Sequence, residues 1–98
     1  MRFIQIVEFT TSRIIDLDQY FDAWIIRTQG DRIPHRAVVT KDRDEDNKYV
    51  LTVEFASHDQ GMENSNRPAT AEFASFLAEI SDGPLAFRNL DVLREEDL

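Results

Sequence analysis

The chain has two histidines, His35 and His58, and imidazole is the side-chain type suited to proton transfer near neutral pH. His58 lies in "EFASHDQGMENSNRP" (54–68), beside Asp59 and among amides and carboxylates, and is the candidate proton-transfer residue. The competing role for such a histidine is a solvated residue at a helix start. His35 follows Pro34 and is the weaker candidate, and 23 positions separate the two, a spacing that suggests no metal pair. The chain has no cysteine, so thiolate nucleophiles, thiolate metal ligands and disulfides are excluded together. Asp42, Asp44 and Asp46 alternate as at the start of a calcium-binding loop. Asn47 then replaces the glycine of the turn and Val53 the closing carboxylate, so "KDRDEDN" reads as a solvated hairpin tip and no metal site is expected. Trp24 sits in a stripe of apolar residues and brings an indole N–H that needs an acceptor. Arg88 and Asn89 are suited to an anionic or carbonyl group, or equally to cross-strand pairing.

These residues have to be positioned by a small number of elements. "RFIQIVEFTT" (2–11) is short and rich in β-branched and aromatic residues, as a strand is. From Asp16, Leu17, Tyr20, Phe21, Trp24, Ile25 and Thr28 recur on one helical face. Asp16 is the expected N-cap, with Gln19 completing a capping box and Ile15 and Tyr20 a hydrophobic staple, and Gly30 supplies a left-handed stop. "HRAVVT" and "KYVLTVEFA" flank the polar tip as an antiparallel hairpin. A second helix is expected from a cap at Ser65 or Asn66, with Pro68 in its first turn and Ala69, Phe73, Phe76, Leu77 and Ile80 as its buried stripe. "DGP" ends it, "AFRNLDVL" is the last strand, and "REEDL" is a solvated end.

The order β-α-β-β-α-β, with right-handed crossovers, predicts a ferredoxin-like α+β domain spanning 1–98: a four-stranded antiparallel sheet with two helices on one face. Ninety-eight residues leave no room for a second core. A net charge of -8, from 19 acidic and 11 basic residues, argues against nucleic acid as a partner. No apolar run reaches the ~20 residues of a membrane helix, and the N-terminus lacks the apolar core of a secretion signal. A cytoplasmic location is therefore expected, and no membrane partner.

Two helices cover only one face of such a sheet, and here neither strand parity is polar. Tyr49, Leu51, Val53 and Phe55 oppose Val50, Thr52 and Glu54, and the first and last strands are mixed in the same way. Burying each large side chain left over is worth roughly 1.5–3 kcal/mol, so a homodimer through the open sheet face is expected.

The run "YVLTVEFASHDQGMENSNRPATAEFASFL", with a strand closing in Glu and an aromatic, a short polar helical turn and a helix approached through "NS…P", resembles the dimeric α/β-barrel superfamily. Within it, the chain resembles antibiotic-biosynthesis-monooxygenase-like domains over nearly its whole length. It also looks like uncharacterised small bacterial proteins ending in "FRNLDV" and charged residues. The resemblance implies a ligand pocket between helices and sheet, with Tyr20, Trp24, Phe55, Asn64 and Arg88 as its ligand-binding residues. In relatives that act chemically, a histidine often follows the aromatic that closes the third strand by about nine positions. Counting from Phe55, that place holds Asn64, which hydrogen-bonds but cannot exchange a proton near neutrality. Haem-degrading relatives use an Asn in the first strand and a Trp where Phe55 stands, and this chain has neither. The resulting expectation is a homodimer with a small-molecule pocket and no cofactor, binding being favoured over catalysis. The alternative is a cofactor-independent monooxygenase acting on an aromatic or polyketide-like substrate, with His58 its weak catalytic candidate and Trp24, Asn64 or Arg88 holding the oxyanion. An isomerase or lyase of the same fold is a third class that the residues do not separate from it.

Overall fold

A computed structural model describes residues 1–98. The chain runs β1 (Phe3–Thr10), α1 (Ile14–Arg27), β2 (Arg36–Lys41), β3 (Lys48–Phe55), α2 (His58–Ser65), α3 (Pro68–Ile80) and β4 (Ala86–Asp91). The strands form one antiparallel sheet in the order β2-β3-β1-β4, so each crossover skips a strand and the ferredoxin-like arrangement holds. One expectation needs correction: three helices are present, because the polar stretch after β3 is a helix of its own.

Residues paired across the sheet share a face. Val7 lies between Leu51 and Phe87, while its neighbour Ile6 lies between Thr52 and Arg88 on the other side. The odd-numbered positions of β1 face the helices. They build a core at one end from Val7, Phe9, Tyr49 and Leu51 beneath Leu17 of α1 and Leu77 and Ile80 of α3. At the opposite end, Phe3 and Phe55 pack with ring centroids 6.0 Å apart, and α2 lies over them. Gly61 permits this approach, since a Cβ there would stand 2.6 Å from two ring carbons of Phe3.

The helix starts follow local chemistry that differs in detail from expectation. α1 begins at Ile14, before Asp16. Its anchor is Thr11, fully buried, whose hydroxyl donates to the Ile80 carbonyl at 2.6 Å and accepts from the Arg13 N–H at 2.9 Å. Asp16 instead sits in the first turn, paired with Arg13 at 2.7 Å, where its charge suits the helix dipole. Ser57 caps α2 by accepting from Gln60 N–H at 3.2 Å. Ser65 and Asn66 close that helix rather than opening the next, and α3 starts on Pro68 after an extended Arg67. At the hairpin tip the acidic alternation serves the turn: Asp42 Oδ1 accepts from the N–H groups of Asp44 and Glu45, and Asn47 takes φ 62°.

The face away from the helices carries Ile4, Ile6, Val38, Val50 and Leu90, each only partly buried within the protomer. At its edge Glu54, 9% exposed, holds Arg2 and also pairs with Arg36 Nε at 3.6 Å.

Candidate functional site

Between the two packed ends, the helices leave a cavity of about 460 Å3 over the sheet. That is within the range of roughly 300–1,000 Å3 typical of small-molecule sites. Its floor comes from all four strands, Ala37, Val53, Leu51, Val7, Gln5 and Phe87, and its roof from Phe21 and Trp24 of α1 and Phe73 and Ala74 of α3. The roof aromatics brace one another edge-on: Phe73 meets Phe21 at 5.2 Å, Trp24 at 5.8 Å and Tyr20 at 5.5 Å between centroids. α2 delivers Asn64 to the wall, and the segment between α1 and β2 delivers Arg32, Pro34 and His35.

Trp24 Nε1 is buried and has no hydrogen-bond partner, a condition that costs stability unless something else supplies the acceptor. Trp24, Asn64, Arg32 and Thr70 also line a much smaller side chamber that adjoins the main cavity. Asn64 is 8% exposed. The His35 N–H donates to the Glu54 carbonyl at 3.0 Å, extending the β2–β3 pairing by one residue, and its Nε2 is 3.4 Å from an Arg2 guanidinium nitrogen. Among the lining side chains there is no Asp, Glu, Lys, Tyr or Cys, and His35 is the one imidazole.

Of the residues singled out from sequence, the structure brings Trp24 and Asn64 into the cavity. Tyr20 stands behind the roof, stacked on Phe76 at 4.1 Å. Phe55 is fully buried against Phe3 under α2 and does not reach the lining. Arg88 projects from the uncovered face, opposite Ile6, because its parity on β4 is that of the outward-facing positions. His58 is exposed at the first position of α2, lies edge-on over Phe3 at 5.1 Å, and is not among the residues that line the cavity. His35, the weaker of the two histidine candidates, lines the cavity, and so does Arg32, which the sequence reading did not single out. Their only signal is the alternation of cations and Pro34 in "DRIPHR", which bends the chain into β2 at the cavity mouth.

No protein-family model matches the chain, and no curated protein matches its sequence. Solved structures do match. Rv0793 from Mycobacterium tuberculosis superposes with a TM-score of 0.75 at 19% identity, over 99% of this chain and 100% of that one. SnoaB, a cofactor-independent oxygenase from Streptomyces nogalater, gives 0.76 at 17% identity, over 96% of this chain and 95% of that one. A structure described as an antibiotic biosynthesis monooxygenase gives 0.69 at 9% identity, over 96% of this chain and 100% of that one. The chain has the antibiotic biosynthesis monooxygenase fold. At these identities the likeness carries architecture alone. No helix of the chain is long and apolar enough to cross a membrane.

Proposed function

We propose that this ABM-fold chain is a homodimeric binding protein for a small, planar, largely apolar molecule held between the sheet and helices α1 and α3. An indole that lines a cavity of about 460 Å3 while its own N–H is buried without a partner, Trp24, carries this reading. A ligand carbonyl or phenolic oxygen gives the indole its acceptor, Asn64 adds a donor or an acceptor, and the aromatic roof supplies stacking surface. The partly buried apolar side chains of Ile4, Ile6, Val38, Val50 and Leu90 on the uncovered face support the homodimer, in which a second sheet would stack on them.

The test is ligand-induced stabilisation across a panel of polycyclic phenols and quinones, since a molecule that binds the native state alone raises Tm with concentration. Ligands that raise Tm for the wild type should fail to do so for Ala74→Phe, which fills the roof, and should act more weakly on Trp24→Phe. Equal stabilisation of all three proteins would place the binding elsewhere and end the reading. Oxygen uptake with the same panel, lost in His35→Ala, would instead assign the cavity to cofactor-free oxygenation, with His35 taking the substrate proton.

A further inference from the structure

We propose that the ligand of this cavity is an amphipathic anion, a flat apolar ring system carrying a carboxylate or ionised phenolic oxygen, and that Arg32 selects its charge; the inference rests on the binding function proposed above. The first observation is electrostatic. In a chain with 19 acidic residues and a net charge of -8, no carboxylate lines the cavity, whereas Arg32, Arg36 and His35 do. A lining of this sign within an acidic surface attracts an anion locally while the surroundings repel it, which favours recognition at the mouth over loose surface association.

The second observation is how the cations are held. Arg36 is paired with Glu54 at 3.6 Å, and Arg2 is held by both Glu54 and Glu95, so the two arginines of that cluster are matched by two carboxylates within the protomer. Arg32 makes no ion pair and no side-chain hydrogen bond. Its neighbour Asp31 is taken by Arg67 at 2.9 Å, which leaves the Arg32 guanidinium without a counter-charge of its own. A planar guanidinium is suited to two parallel hydrogen bonds with a carboxylate. The third observation is the placement of Arg32. Arg32 and Trp24, whose buried N–H lacks a partner, line the same cavity and the same side chamber, where the other charged residues, Asp31 and Arg67, pair with each other, so Arg32 is the uncompensated charge that an oxygen-bearing ligand end would meet there.

Calorimetric titration with 2-naphthoate and with 2-naphthamide, which share a ring and nearly a size, separates charge from shape. Naphthoate should bind at least about tenfold more tightly than the amide at low salt, and the gap should shrink as ionic strength rises from about 50 to about 500 mM. Arg32→Gln should bring naphthoate to the level of naphthamide and leave naphthamide unchanged. Arg43→Gln, at the hairpin tip, should change neither. Equal affinities in the wild type, or an Arg32→Gln variant that weakens both ligands alike or neither, overturn the charge selection while the binding function stands. Absence of binding by either compound at millimolar concentration overturns both.

Discussion

Single positions in this molecule carry more than their type suggests. Gly61 sits in the middle of α2 because a ring of Phe3 occupies the place of its missing Cβ, and that ring is fixed by Phe55 and His58. Gly61→Ala gains helix propensity but forces the helix off the sheet, and should cost about 1–3 kcal/mol in urea unfolding. Thr11 is as constrained: Thr11→Val leaves the Ile80 carbonyl and the Arg13 N–H without their partner, an expected loss of about 1–3 kcal/mol by the same measurement. The indole of Trp24 was legible in sequence, because a polar tip in an apolar helical stripe demands an acceptor wherever the helix docks. His35 was not, since its place depends on pairing with Glu54, a contact between residues distant in sequence. Arg88 misled for a related reason: adjacent strand positions point to opposite faces, and composition on β4 does not say which face is covered.

At the scale of elements, strands and long helices were readable from their periods, while α2 was not. Its inward positions are Gly61 and Asn64, so it presents no apolar stripe, and it is held by the Ser57 cap and by close contact with Phe3. A polar helix of this kind looks like a connector until its packing is seen. It is also the element that carries Asn64 to the cavity. Ser57→Ala should therefore lower stability by about 0.5–2 kcal/mol and weaken ligand binding together, read by thermal melts with and without ligand. A variant that loses stability while keeping full affinity would show that Asn64 is not held by the helix start. The early start of α1 was hidden because its anchor, Thr11, lies before the helix and bonds to the far end of α3, a contact that local capping rules do not contain.

At the scale of the whole molecule, the sheet is filled on one side at both ends, hollow in the middle, and uncovered on the other side. Both apolar faces were legible from the mixed strand parities; which one held the cavity required the register. Ile6 belongs to the uncovered face and lies outside the core cluster, so Ile6→Asp should abolish self-association while the subunit stays folded. Sedimentation velocity across a wide concentration range, with circular dichroism as the control, checks it, and a wild type that remains a single subunit throughout would refute the homodimer. The hollow also gives the molecule a built-in reporter. Trp24 is the chain's one tryptophan and forms part of the cavity wall, so its fluorescence spectrum should respond to whatever fills the space beside it, without any added label.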